Sequence, residues 1–344
     1  MKNTIILFIS LFASIYCLAQ SSNVQNTIIY ALPKTVLSVE VEIEKTTYTP
    51  GIFNQYAVRY LAAKDVNTEV KMYHTLKNIR VKTEAVPDEN RTYSVSWNNK
   101  NAILYNIAIN EKGILCGINT VCEPKEQPKE NVIVHPSMSK GNLSLLPMSE
   151  EYMMVTSTAK LAEGAAKQIY RIRENRLDIL AGDATLFPAD GKSFALLLEE
   201  MEKMERELTE LFVGTTVCET QIHTIYYTPE NPTANDILFR LSMLNGVVPT
   251  TDLSGSPYYI NIATTTSRLV ASSYEADKKS NPIIRTIYPA VAQITVDDGR
   301  VNYFSGEFSI PQFGSIVELT DNVLRNKDVK VRVDTETGRL LGIE

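Results

Sequence analysis

The spacing of apolar residues changes twice along this chain, and that change limits its fold more than any other feature. Over residues 26–45 apolar and polar residues alternate, which is typical of a strand with one buried face. Over residues 161–211 apolar residues recur every three or four positions, the spacing of amphipathic helices. After Gly214 alternation returns. This order predicts an α+β fold in which two β-rich, mainly antiparallel units flank a long antiparallel helical hairpin.

The N-terminal β-rich unit is predicted over residues 20–122. After the first strand, alternation predicts strands over 73–83, 93–97 and 102–110, and the turn-rich peptides VPDEN, NNKN and NEKG separate or follow them. A short amphipathic helix is predicted within FNQYAVRYLA, residues 53–62.

The helical hairpin is predicted over residues 151–214. One apolar stripe ends at Gly182, and the second helix carries a seam at alternating three- and four-residue steps. The first helix is rich in lysine and arginine and the second in glutamate, so opposite charges are expected to set the pairing of the helices. The stripe consists of Leu161, Ala165, Ile169, Ile172, Leu177 and Leu180, and the seam of Phe194, Leu197, Met201, Met204, Leu208 and Leu211.

The remaining segments are a linker and a second β-rich unit. Residues 123–150 contain four prolines and almost no periodic apolar position, which indicates a linker or long surface loop. The C-terminal unit is predicted over residues 215–344. A weak similarity between residues 28–41 and 283–296 raises internal duplication as a hypothesis. The strands of this unit are predicted over 217–227, 236–241, 258–264, 285–296, 302–310, 315–319 and 329–334.

Residues 1–19 have the composition of a secretory signal peptide. Their apolar run of about fourteen residues is shorter than the roughly 20 that a membrane-spanning helix needs. The small residues Cys17 and Ala19 precede a cleavage position before Gln20. A lipoprotein signal also ends at a cysteine, but the bulky Tyr16 disfavours lipidation at Cys17. We therefore expect an exported protein that is periplasmic or associated with the outer membrane, with no transmembrane segment after cleavage.

The charge and the histidine positions argue against nucleic acid, an anionic membrane surface and a local zinc site. The net charge is -6, with acids and bases interspersed, which gives no reason to expect nucleic acid or an anionic membrane surface. The three histidines, His74, His135 and His223, are too scattered for a local zinc motif. We expect neither a metal nor a cofactor.

Three cysteines remain after the signal peptide. Cys116 and Cys122 could close a small disulfide loop in an oxidising compartment and leave Cys218 free. Either of them could instead pair with Cys218. The sequence leaves these alternatives open.

Two S-x-x-K motifs are the candidates for catalysis. Ser137 with Lys140, and Ser157 with Lys160, match the pattern in which lysine activates a serine nucleophile in penicillin-recognising enzymes. Ser157 lies where a helix is predicted to begin, so Ser157 and Lys160 are the better candidates for a periplasmic serine hydrolase. No K-T-G-like strand follows, however, and serine is also a common helix N-cap. We favour the capping role.

Several long segments resemble a known family. YALPKTVLSVEVEIEK, YTPGIFNQYAVRYL, QIYRIRENRLDILAGDATLFPADGKS and ELTELFVG are similar to an exported family of Bacteroidetes-type bacteria, domain of unknown function 4831. The resemblance runs through most of the chain. It implies export and a fold shared with that family, and it supplies no catalytic residues.

These observations favour an exported binding or assembly module of the cell envelope. A protein or glycan partner is expected, and the helical seam is long enough for homo-oligomerisation. A periplasmic serine hydrolase and a surface adhesin are the alternatives.

Overall fold

The computed structural model describes residues 26–97, 106–122, 157–183, 190–264, 282–320 and 329–344. The signal peptide, the Ser137–Lys140 motif and the linker beyond Cys122 lie outside the described residues, so the expectations for them stay predictions. The helices are α1 (Ala57–Leu61), α2 (Thr158–Ala181) and α3 (Gly191–Val213). The strands are β1 (Asn26–Thr49), β2 (Lys71–Trp97), β3 (Ile107–Ile109), β4 (Leu115–Ile118), β5 (Thr215–Tyr227), β6 (Thr233–Ser242), β7 (Gly246–Val248), β8 (Ser256–Thr264), β9 (Pro282–Asp297), β10 (Asn302–Thr320), β11 (Val331–Val333) and β12 (Leu340–Ile343).

These strands form three sheets with the orders β2-β1-β5, β10-β9-β8-β6-β7 and β12-β11-β4-β3. The paired strands run antiparallel in all three. The hairpin of α2 and α3 lies in the chain between β4 and β5. The predicted fold class, β-rich and mainly antiparallel with a helical hairpin between β-rich segments, is confirmed.

The first core lies between the three-stranded and the five-stranded sheet. The alternating residues of β1, Val39, Val41 and Ile43 among them, are fully buried against Ile260 of β8 and Ile294 of β9. Each such side chain contributes about 1.5–3 kcal/mol when it is removed from water. Since β1 and β9 come from opposite sides of the hairpin in the chain, the two β-rich segments share this core.

The second core lies where the other ends of β1 and β9 meet the small four-stranded sheet. Tyr30 and Leu32 of β1 pack with Ile284 and Ile287 of β9, and the small sheet adds Leu115, Ile118, Val331 and Val333. The Tyr30 hydroxyl accepts a hydrogen bond from the backbone N–H of Arg285 at 2.8 Å. Both long central strands therefore contribute to both cores.

The VPDEN peptide does not form the predicted hairpin turn. It lies inside β2 as a bulge, where the register with β1 shifts between the pairs Ala31–Thr92 and Pro33–Pro87. The predicted strands over 302–310 and 315–319 are likewise one strand, β10, with a register shift between them. Arg91 joins the two irregular regions by donating hydrogen bonds to the carbonyls of Pro311 and Gln312 at 3.2 and 3.1 Å. This contact supplies partners for backbone groups that the bulges leave unpaired.

Candidate functional site

The helical hairpin is anchored to the sheets at one end. Phe212 of α3 is fully buried, and its ring lies 5.4 Å from that of Phe53. On α2, three alanines and Ile169 allow a close approach to α1, because small side chains let helices pack tightly. These anchoring residues are Ala162, Ala165, Ala166, Ile169, Leu208 and Phe212.

The ends of the helices are defined by local sequence. Gly182 ends α2 in the left-handed conformation, with φ of 83°, which glycine adopts without a steric penalty. Asp190 caps α3 by accepting hydrogen bonds from the backbone N–H groups of Lys192 and Ser193 at 3.0 and 2.9 Å. The hydrogen bond from the Ser193 hydroxyl, followed by those from the backbone, lowers the pKa of Asp190.

Two ion pairs join the helices midway along the hairpin. Glu205 accepts from Arg173 at 2.6 Å and lies 2.9 Å from Arg176, and its side chain is only 14% exposed. One carboxylate held between two guanidinium groups has a better-defined geometry than a single exposed pair. The pairs therefore fix how α2 and α3 lie against each other beyond the anchored end.

The distal half of the hairpin leaves several large apolar side chains exposed. Leu177 and Leu180 of α2 are each 65% exposed, and Leu196 of α3 is 59% exposed. Leu197 and Met204 are each 37% exposed. We refer to Leu177, Leu180, Leu196, Leu197 and Met204 together as the hairpin tip.

The sequence placed four of these five residues in the packed interior of the hairpin, and the structure does not. On α3 the predicted Met201, Leu208 and Leu211 do pack in the core at the anchored end. Farther out, Leu198 and Glu205 are more protected than their neighbours Leu197 and Met204. The helix turns in this way because Phe212 reaches Phe53 and Glu205 reaches the two arginines. The run Leu196–Leu198 was the available signal, since three consecutive residues cannot all face one neighbouring helix.

α3 carries several glutamates on either side of its exposed residues, together with Lys203 and Arg206. Among the described residues, Glu199, Glu202, Glu207 and Glu210 form no ion pair. Their charge is therefore available to a basic surface.

The structure places Ser157 and Lys160 on the exposed first turn of α2. Ser157 occupies the N-cap position, but its side chain makes no capping hydrogen bond. The one hydrogen bond between the two residues runs from the backbone N–H of Lys160 to the carbonyl of Ser157 at 3.1 Å. Activation of Ser157 would need the lysine amine within hydrogen-bond reach of the hydroxyl, and the described residues show no such bond.

The cysteines of the β-rich segments lie in two places. Cys116 in β4 and Cys122 form a disulfide with Cα atoms 5.6 Å apart. Cys218 in β5 is a free, exposed thiol. It lies 3.8 Å from the hydroxyl of Thr46 on the neighbouring strand.

A polar cleft of about 230 Å³ lies where β2, β10 and the β11–β12 turn meet. Glu84, Glu307 and Glu336 bring carboxylates to it, and Phe308 adds an aromatic ring. Such a lining can accept hydrogen bonds from the hydroxyl groups of a sugar.

Across the described ranges, no group of three or more acidic, histidine or cysteine side chains is arranged to hold a metal ion. Nor does any helix in those ranges have the length and apolar character needed to cross a membrane.

The fold and the site define a β-rich protein with a helical hairpin whose distal half carries exposed leucines. The family described as Domain of unknown function (DUF4831) matches residues 26–341, so the chain belongs to that family. No curated protein and no solved structure matches the chain.

Proposed function

We propose that this protein is an exported binding or assembly module of the cell envelope, and that the hairpin tip contacts a partner protein. The exposure of Leu177, Leu180 and Leu196 carries the proposal, because clustered apolar side chains on a protein surface mark interaction sites. The anchored core and the ion pairs of Glu205 hold the tip in a defined position. A partner therefore meets a preorganised surface and loses less entropy on binding.

The expected partner surface is apolar at its centre and basic at its edge. The unpaired glutamates of α3 attract lysine or arginine and disfavour acidic surfaces, which gives selectivity and speeds association. An amphipathic helix with basic flanks has this chemistry and fits the groove between two helices.

Export is the part of the proposal that rests on residues 1–19. Mass spectrometry of the protein from envelope fractions is expected to find an N-terminus at Gln20. A lipid on Cys17 would contradict the proposed soluble export, and an uncleaved chain in the cytoplasm would contradict export itself. Added protease on intact cells then separates a periplasmic module from a surface adhesin, since only the adhesin is digested.

Co-purification tests the role of the hairpin tip. The protein is tagged near Glu344, expressed at its native level and crosslinked in intact envelopes. Leu177→Ser with Leu180→Ser removes apolar surface from the tip. Leu253→Ser with Val121→Ser is the matched control, because these residues are 82% and 84% exposed and lie outside the hairpin. Thermal unfolding of both variants confirms that the fold is retained.

One partner recovered in constant proportion, lost with the tip variant and kept with the control, supports the proposal. Equal recovery with both variants would place the partner elsewhere and contradict the role of the tip. Recovery of the protein alone would contradict an assembly role.

A glycan is the second candidate ligand, and the polar cleft is the observation that favours it. Glu84→Gln with Glu307→Gln keeps the size of the lining but removes two charged acceptors. The expected result is weaker retention on immobilised envelope polysaccharide. Unchanged retention by the double variant would separate any glycan binding from this cleft.

A further inference from the structure

Strand β5 has one edge without a neighbouring strand among the described residues. Its thirteen residues pair with β1 in an unbroken register, from Thr215 opposite Thr49 to Tyr227 opposite Leu37. The sheet order β2-β1-β5 leaves its other edge open. An open edge presents a row of unpaired backbone N–H and C=O groups, which is a template for another strand.

The other edges of the described sheets have features that oppose such pairing. β3, β7 and β12 are only three or four residues long. β10 contains Pro311 and a register shift. β2 contains Pro87 and five lysine or arginine residues along its length. Short strands, prolines, bulges and basic side chains are the usual ways in which proteins prevent edge-to-edge association.

Strand β5 has none of these protections. It contains no proline, glycine, lysine or arginine, and seven of its thirteen residues are β-branched, which favours extended pairing. Its side chains outside the first core include Ile222 and Tyr226, which are 59% and 64% exposed. Within two residues of its midpoint the charged or titratable side chains are Glu219 and His223.

We propose that β5 is a dimerisation strand, which pairs antiparallel with β5 of a second copy of this chain about Gln221. Gln221 is the midpoint of the strand, so this register pairs all thirteen residues. The two three-stranded sheets then join into one continuous sheet across a two-fold axis, as an isologous interface requires. This interface does not involve the hairpin tip, and the proposal goes beyond the proposed function.

A second copy of the chain fits this edge because the sequence of β5 is complementary to itself in the antiparallel register. In this register Glu219 lies opposite His223 of the partner subunit, and Val217 lies opposite Ile225 of the partner subunit. A carboxylate can accept a hydrogen bond from an imidazole N–H, β-branched pairs across strands are stabilising, and no like charges face each other. The Nε2 atom of His223 is buried without a hydrogen-bond partner among the described residues, so an acidic neighbour there satisfies an existing need.

Sedimentation of the full mature chain over a dilution series tests the dimer. Thr220→Lys with Ile222→Lys places like charges opposite each other across the two-fold axis. Within one chain these positions face Glu44 and Glu42 of β1, so the monomer fold is retained. Because each substitution enters the interface twice, the dissociation constant is expected to rise at least about tenfold. The matched control is Thr27→Lys with Ile29→Lys on β1, where Ile29 is 61% exposed.

Disulfide trapping tests the register. In a Cys218→Ser background, Gln221→Cys brings two thiols together on the two-fold axis and is expected to form a covalent dimer on mild oxidation. Thr216→Cys in the same background is the control, because Thr216 lies opposite Tyr226 of the partner subunit and is expected to stay uncrosslinked. A monomer at all concentrations, a dimer unaffected by the β5 lysines, or equal crosslinking at both positions would overturn the proposal.

Discussion

Phe212→Ala is expected to release the anchored end of the hairpin. Phe212 is fully buried and packs against Phe53 in the core that joins α2, α3 and α1. Replacing a buried phenylalanine by alanine costs about 3–5 kcal/mol, from lost burial and from the cavity that remains. Stability of a folded domain is only about 5–15 kcal/mol, so this change removes a large share of it. Urea unfolding followed by circular dichroism gives the loss directly, provided that the slope m is unchanged.

Two further variants test which face of α3 is buried. Met204→Ala lies in the same helix at a 37% exposed position, and a cost within about 0.5 kcal/mol is expected. Phe212→Leu keeps most of the apolar volume and is expected to cost less than about 1.5 kcal/mol. A loss below about 1 kcal/mol for Phe212→Ala, or an equal loss for Met204→Ala, would refute the assignment of the buried face of α3.

Four other outcomes are expected. Asp190→Ala destabilises α3. Because folding lowers the pKa of Asp190, the extra free energy of unfolding of the wild type over the variant, measured in urea, is present above pH 3.8. It disappears as the pH falls through the folded-state pKa. Burial and then a 2.8 Å hydrogen bond to Asp236 raise the pKa of Tyr227 to about 12. The stability that this phenol contributes is therefore present below pH 10.0 and lost towards pH 12, and Tyr227→Phe removes a phenolate absorbance step near pH 12. One thiol for each mature native chain reacts with a thiol reagent, and Cys218→Ser abolishes the reaction. A serine-reactive probe is expected not to label Ser157. Labelling that is lost in Ser157→Ala would contradict this expectation and support a serine hydrolase.

Features with a local cause could be predicted from the sequence. The alternation of β1 and the helical spacing of α2 each report which face of one element is buried. Gly182 marks the end of α2 because its left-handed conformation favours glycine. The fold class follows from the order of such elements, and it was predicted correctly.

Features with a distant cause could not be predicted. β4, β7 and β12 have three or four residues, too few to show alternation. β4 is also held by β11, a strand far along the chain, whereas β7 and β12 pair with the strands just before them. The VPDEN peptide has the composition of a turn, yet Arg91, the residue that follows it, bonds to carbonyls 220 and 221 residues away and so ties this part of β2 to β10. Four residues of the hairpin tip were misplaced for the same reason, since Phe53 and the two arginines that bind Glu205 determine how α3 is rotated.

The two segments with similar sequences, residues 28–41 and 283–296, occupy equivalent positions in the structure. Each lies in a strand with a neighbour on either side, β1 or β9, and each of these strands forms a long antiparallel hairpin with the next. In both hairpins the register shifts beside a buried proline, Pro33 in β1 and Pro289 in β9.

The shift beside Pro33 coincides with a change in which residues of β1 are buried. Before it, the even-numbered Tyr30 and Leu32 enter the second core, and after it the odd-numbered Val39 and Val41 enter the first. The buried positions of β1 thus change from even to odd numbers across this shift, and the extra residues of the irregularity lie on β2. Gln312, in the irregular part of β10, bonds to both the N–H and the carbonyl of Thr35 and holds that break in place. Internal duplication of such a hairpin stays a prediction from the sequence.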